Sequence, residues 1–337
     1  MKIDQLTFTR FIAAILVVVY HYGQQIFPFN LLNIKPLVEK FNVSVSYFFL
    51  LSGFIMTYVY YPRRKSFSTL EFLRFRFARI YPLYIIAILL YIWVSHHYIS
   101  GKALALNYFM LQAWFPEFVL TINYPGWSVS VEVFFYLMFP FLLRIYDKIN
   151  LKKLPLILTG FILSGIAFFF CLDRYVGGFE TSNFYVYAPI MHLFQFVAGN
   201  LAGMLMIQRT AKNYDMVILA LFILLSFFLF HDFSLPIYHG GLAFIFIPFI
   251  LILALNNGKI SRALSKKPLI ILGEISYGIY LLQAPIHLGV SQLNSYLQLN
   301  DIALFYVYLL VLIGTATISY YFVETPFRRQ IRRFRNT

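Results

Sequence analysis

The apolar stretch RFIAAILVVVYH opens on Arg10 and closes on His21. Eleven residues on an α-helix make about three turns and a little more, so the two side chains lie on nearly one face, roughly 16 Å apart. A guanidinium holds anions through a planar fork of donors, and an imidazole takes or gives a proton near neutrality. Further along, the run Glu71-Phe-Leu-Arg74-Phe-Arg76-Phe-Ala-Arg79 places Arg76 and Arg79 at helical i and i+3, where two forks can meet one phosphate-like anion. Membrane-surface anchoring accounts for the same arginines from composition alone.

These groups need elements to position them, and the composition says which. Of 337 residues, 61% are hydrophobic and 12% charged, and the mean hydropathy is +0.74, too apolar for an average water-soluble globule. Runs of about 20 apolar residues, enough to cross a bilayer, lie near 7–27, 43–62, 80–97, 127–146, 154–172, 189–208, 215–231, 237–256, 268–289 and 303–323. The expected fold is therefore all-α, a polytopic membrane protein of about ten transmembrane helices. With the N-terminus cytoplasmic, only Lys35, Lys40, Lys102 and Arg174 of the 27 Lys and Arg fall outside. The positive-inside rule thus predicts cytoplasmic N- and C-termini. That distribution also explains the net charge of +14 by a membrane, with no nucleic acid needed. No repeat or soluble domain is apparent, so residues 1–337 are expected to form one transmembrane domain without an appended soluble one. The first run carries Asp4 and Arg10 and no small-residue cleavage site, which predicts a membrane helix and not a signal peptide. The single cysteine, Cys171, excludes an intramolecular disulfide or a Cys cluster for zinc.

Ionisable groups in hydrocarbon are costly and are functional candidates by default. Glu132, in Trp127-Ser128-Val-Ser130-Val-Glu132, falls about five residues into the fourth run, and His21 about six residues before the end of the first. Equal depths, roughly 8 Å below the outer surface, predict a pair in which the carboxylate fixes the tautomer and strengthens the base. Ser52, Gly53 and Gly278 read as close-packing positions, whereas Tyr277 and Gln283 must satisfy polar atoms inside the protein. His192, Gln195 and Asn200 read as structural. The segment around 104–115 is too short to span and is expected to pack on the outer surface or re-enter. The tail with Arg328, Arg329, Arg332, Arg333 and Arg335 reads as a cytoplasmic anchor to anionic lipid.

Six motifs in order now resemble the acyltransferase family 3 of integral membrane acyltransferases over essentially the whole chain. They are the Arg10/His21 pair, Phe48–Phe54, Arg76-Phe-Ala-Arg79-Ile-Tyr-Pro82, Trp127–Glu132, Ser276-Tyr277-Gly-Ile-Tyr280-Leu281 and Phe322-Val-Glu324-Thr-Pro326. Two positions depart from the family pattern: Gln283 stands where many relatives carry a histidine, and Val133 follows Glu132 where a second glutamate is frequent. The resemblance implies transfer of an acyl group, most often acetyl, from acetyl-coenzyme A to a sugar hydroxyl of a lipid-linked or surface glycan such as O-antigen of lipopolysaccharide or exopolysaccharide. It places the protein in the bacterial cytoplasmic (inner) membrane.

On this reading Arg10, Arg76 and Arg79 bind the donor phosphates. His21 and Glu132 are catalytic, His21 acting as general base or as a transient acyl carrier. Trp127, Ser128, Ser130, Ser276, Tyr277 and Gln283 position substrate or stabilise the oxyanion. Acetyl-coenzyme A is the co-substrate, no metal is expected, and the partners are the glycan acceptor and membrane lipids. A transporter or flippase for a lipid-linked sugar would also bury His, Glu and Arg among ten helices.

Overall fold

A computed structural model of the chain describes residues 3–176, 182–207, 209–231, 233, 236 and 239–333. Among them there is no β-strand, only an isolated parallel bridge between Lys212 and Asn256. Ten apolar helices follow the expected runs: α1 (Asp4–Tyr22), α2 (Ser44–Tyr60), α3 (Thr69–Ser95), α4 (Gly126–Tyr146), α5 (Leu154–Tyr175), α6 (Leu193–Ile207), α7 (Asp215–Phe230), α8 (Ala243–Leu255), α9 (Lys267–Leu297) and α10 (Asp301–Ser319). A π-helical turn, Tyr320–Glu324, leads from α10 into a basic helix, α11 (Thr325–Arg333).

Among the described residues eight helical segments are long and apolar enough to cross a membrane; α7 and α8, with 16 and 13 residues, are apolar but shorter. Outward faces stay apolar, as at Met216, 81% exposed, and Leu310, 72% exposed, which suits lipid rather than water. The protein is an all-α, multi-pass membrane protein.

Small residues decide which helices approach. A Cβ on Gly53 of α2 would stand 2.1 Å from the Phe196 carbonyl oxygen, and one on Gly199 of α6 would stand 2.1 Å from that of Leu50. The two backbones therefore touch, in the small-residue packing expected within membranes. Thr57 donates to Asn200 Oδ1 at 2.8 Å, and Asn200 Nδ2 donates to the Tyr146 hydroxyl at 3.0 Å, so α2, α6 and α4 share one buried polar link. On the other side Gly273 of α9 lies against Thr7 of α1, where a Cβ would be 2.0 Å from the Thr7 carbonyl oxygen. These contacts set α1, α2, α4 and α9 around one space.

The segment before α4 packs against the bundle. It forms a short helix, Gly101–Tyr108, capped by Ser100, and then buries Gln112 completely. Gln112 Nε2 donates to the Gly126 carbonyl at 2.8 Å and to the Tyr84 hydroxyl at 3.0 Å. The start of α4, and with it the Trp127–Glu132 motif, is thereby fixed on α3.

α1 ends earlier than its hydropathy suggests. The apolar run continues to Phe27, yet the Gly23 N–H bonds to Val19 O and closes the helix at Tyr22. His21 sits in the last turn of α1, one residue from its end.

Candidate active site

A cavity of about 1070 Å3 opens between α1, α2, α3, α4, α9 and α11. Its mouth is formed by the start of α1, the connection from Arg63 to Glu71, and Thr325, Arg328 and Arg329 of α11. From there it follows α2 from Tyr60 to Val45, fifteen residue steps or about 22 Å. Seven of the eleven expected site residues line it: Arg10, Arg76, Arg79, Ser128, Glu132, Ser276 and Tyr277.

The arginines come from two helix faces. Ser68 caps α3 by accepting the Glu71 N–H at 3.4 Å, and the helix that follows carries Arg76 and Arg79 inward one turn apart. Arg10 reaches the same cavity from α1, within electrostatic range of Arg79, Glu132, Glu274 and Arg328. Arg76 lies against three rings, Tyr60 at 5.4 Å and Phe72 and Tyr136 at 5.5 Å, and its buried Nε has no hydrogen-bond partner among the described residues. Rings hold a cation by their negative faces without neutralising it. Among the described residues none of these three guanidiniums is in an ion pair. Three guanidiniums outside any ion pair, in a cavity whose carboxylates Glu132 and Glu274 are held by other groups, can receive a polyanion.

The acidic groups are already engaged. Glu132 accepts from the Tyr136 hydroxyl at 2.5 Å and from Ser52 at 3.5 Å. Glu274 pairs with Arg328 at 3.4 Å, and Arg328 also holds the buried Glu324 at 2.5 Å. Arg328 and Arg329 therefore border the cavity mouth instead of serving simply as a lipid anchor. The side chains of Arg332 and Arg333, and Arg335 altogether, lie outside the described residues.

The expected pairing of His21 with Glu132 does not form. Glu132 is six steps into α4, about 9 Å along the axis, while His21 is one step from the end of α1, so the two are not at equal depth. The His21 side chain is exposed, packs 4.7 Å from the Tyr124 ring, and has no hydrogen bond among the described residues. It does not line the cavity. Tyr280 lines the cavity beside Phe48, 5.9 Å between rings, and meets Ser128, while Tyr124 packs on His21 outside it.

The other positions divide. Ser276 donates to the Gly273 carbonyl at 2.7 Å, and Tyr277 to that of Ile80 on α3 at 2.8 Å, so both face the cavity with their hydroxyl protons engaged. Trp127 lies outside the lining and packs on Phe49, Tyr187 and His192, with centroids 6.0, 4.9 and 5.3 Å away. Ser130 is buried with no hydroxyl partner among the described residues, and Gln283 is buried with Nε2 on the Tyr280 carbonyl at 2.8 Å. His192, Gln195 and Asn200 are satisfied within the fold, His192 by Gln195 at 3.1 Å and by the Val186 carbonyl at 2.9 Å.

Sequence reasoning passed over Tyr136, Tyr280, Glu274 and the inward role of Arg328. Glu274 had a visible signal, an acid two residues before Ser276 inside an apolar run. Among the described residues no three His, Cys, Asp or Glu side chains gather as metal ligands would.

A multi-pass bundle with three arginines lining one deep cavity defines a polytopic membrane protein with a basic internal site. The comparisons are more specific: the family described as "Acyltransferase domain" matches residues 3–324, and the chain belongs to it. Acyltransferase MdmB of Streptomyces mycarofaciens is 27% identical over 83% of this chain and 78% of its own length. O-acetyltransferase OatA of Staphylococcus aureus is 28% identical over 95% of this chain, and the peptidoglycan O-acetyltransferase OatA of Listeria monocytogenes 26% over the same share. The chain spans little more than half of those two proteins, 56% and 55%. No solved structure matches. Family membership favours an acyltransferase over a transporter.

Proposed function

We propose that the protein is a membrane O-acetyltransferase that moves an acetyl group from acetyl-coenzyme A to a hydroxyl of a cell-surface glycan. The observation that carries this reading is the set of three guanidiniums, Arg10, Arg76 and Arg79, in no ion pair among the described residues and lining one cavity about 1070 Å3 in volume. A nucleotide bearing several phosphates meets such a set with charge-assisted, bidentate hydrogen bonds. The apolar α2 wall beyond it suits the thioester arm. With the N-terminus cytoplasmic in the bacterial inner membrane, the arginine end faces the compartment that supplies acetyl-coenzyme A.

His21, at the far end, acts as general base. Its imidazole accepts the proton of the acceptor hydroxyl, the oxygen attacks the thioester carbonyl, the carbon–sulfur bond breaks, and the leaving thiolate takes the proton back. In the two-step variant His21 first carries the acetyl group itself. Ser128 and Tyr280, at the inner end of the cavity, serve the developing oxyanion, and Ser276 and Tyr277 shape the passage to them. Glu132, tied to Tyr136 and Ser52, balances the arginines and does not orient His21.

Comparing base-labile acetate on surface glycans, by mass spectrometry, between cells carrying the wild type and His21→Ala tests the reading. Loss of acetylation with normal membrane insertion is expected; acetylation that persists removes His21 from the chemistry.

A further inference from the structure

At the end of the bundle opposite the arginines, His21 is one member of a continuous aromatic cluster. Its ring lies 4.7 Å from that of Tyr124. The Tyr124 hydroxyl donates to that of Tyr22 at 2.8 Å. Tyr22 in turn stacks on His287, 3.9 Å between centroids and 18° between planes. Tyr308 closes the group edge-on, 5.3 Å from Tyr22 and 5.1 Å from His287. Four separate pieces of chain, the end of α1, the loop before α4, α9 and α10, have been brought together to build it.

Two features separate this cluster from the scattered tyrosines of a membrane interface. Its rings pack on each other and on His21, and His21 is exposed while Tyr22, Tyr124 and His287 are half-buried, so part of the cluster is open to the outside. Beside it lie two buried carbonyl oxygens that no group donates to among the described residues, Asn123 Oδ1 and Gln283 Oε1. Asn123 Nδ2 donates to the Leu281 backbone carbonyl at 2.9 Å and so holds the Tyr124 loop to α9, and the Gln283 backbone carbonyl receives the Tyr308 hydroxyl at 3.2 Å. Burial pushes the Tyr124 phenol well above its usual pKa, so the ring stays neutral.

We infer that Tyr22, Tyr124 and His287 form an acceptor platform on which a pyranose ring of the glycan lies, its hydroxyl turned to His21. A sugar ring presents weakly positive C–H groups on its faces and hydroxyl donors at its rim. The first suit the negative faces of aromatic rings, and the second suit the exposed His21 imidazole at the edge of the platform. The platform carries no charged side chain, which fits a neutral sugar and does not fit the polyanionic donor. The inference rests on the acetyl-transfer reading above and names the acceptor's place within it.

The full chain in lipid nanodiscs, both faces accessible, is given carbon-14-labelled acetyl-coenzyme A and rising amounts of solubilised cell-wall glycan fragments. Tyr124→Leu and His287→Leu remove an aromatic face but keep bulk, and Tyr124→Phe keeps the face. Each leucine variant is expected to raise the half-saturating glycan concentration about tenfold with the affinity for coenzyme A preserved, and His287→Leu also keeps the maximal rate, whereas Tyr124→Leu, whose ring packs on His21, lowers it; Tyr124→Phe keeps half-saturation within about twofold of wild type. His287 does not touch His21, so its effect separates sugar binding from orientation of the base. Unchanged half-saturation in both leucine variants overturns the platform and leaves an interfacial belt. Equal losses in Tyr124→Phe and Tyr124→Leu overturn it in favour of the hydroxyl, and a fall in coenzyme A affinity in the leucine variants overturns it in favour of a structural role. Wild-type protein that transfers nothing to glycan refutes the acetyl-transfer reading itself, a result distinct from all of these.

Discussion

Replacing Arg79 by glutamine separates a donor-binding role from a structural one, because of what the side chain does not touch. Arg79 lines the cavity and is in no ion pair among the described residues. The carboxylates near it keep their partners in the variant: Glu132 retains Tyr136 and Ser52, and Glu274 retains Arg328. No hydrogen-bonded partner is stranded, but the variant loses the attraction of Arg79 to Glu132, Glu274 and Glu324 along with its repulsion of Arg10, so the ligand-free protein should unfold slightly below the wild-type temperature. The bound state should differ sharply. A hydrogen bond between a guanidinium and a phosphate contributes about 1.5–3 kcal/mol, so Arg79→Gln should weaken coenzyme A binding by about 10- to 100-fold. Calorimetric titration of the detergent-purified chain with coenzyme A, alongside thermal unfolding with and without it, measures both quantities. The contrast should also shrink at high salt, where a phosphate contact loses strength. An affinity within about twofold of wild type, or a ligand-free protein that unfolds much earlier, would refute the reasoning.

The remaining predictions concern the scaffold. Arg328→Ala strands the Glu324 carboxylate, 1% exposed, and removes the partner of Glu274; breaking such a pair costs about 3–5 kcal/mol, seen as earlier thermal unfolding, and adding Glu324→Gln should restore much of it. Gly199→Ala puts a Cβ 2.1 Å from the Leu50 carbonyl oxygen, whereas one at Gly160 meets nothing within 4 Å; the first should lose about 1–3 kcal/mol and the second gain about 0.5–1 kcal/mol, compared by thermal unfolding in detergent. Gln112→Leu leaves the Gly126 carbonyl and Tyr84 hydroxyl without their donor, a loss of about 1–3 kcal/mol, with glycan acetylation falling too because α4 loses its anchor.

The helices were legible because hydropathy and length carry the membrane constraint residue by residue, and all ten apolar runs correspond to helices. Arg76 and Arg79 were legible for a similar local reason, an i, i+3 spacing on one helix. The end of α1 was not. Hydropathy continues through Ile26 and Phe27, while the turn is set by Gly23 and by Gln24 Nε2 donating to the Tyr20 carbonyl at 2.7 Å, neither of which is an apolar signal. That error of about five residues, some 7 Å of helix, is what placed Glu132 and His21 at one depth. The contacts of Arg328 with Glu274 and of Tyr22 with His287 join distant parts of the chain, and no local periodicity encodes them.

The corrected depth changes what the reaction demands of the fold. If His21 and Glu132 were a pair, donor and acceptor would meet in one polar chamber, and the arginines' field would act on both. As built, Arg10, Arg76, Arg79 and Arg328 gather with Glu132 and Glu274 in one cavity that His21 does not line, and its α2 wall carries Phe48, Leu51, Ile55 and Val59 together with Ser52. Beyond Tyr280 and Tyr124 the His21 end is aromatic and without other charge. A polyanionic donor is stabilised only at the first end, and a neutral hydroxylated ring suits the second. Under the acetyl-transfer reading, the only part of the donor that suits both ends is the small, uncharged acetyl group at the tip of its arm.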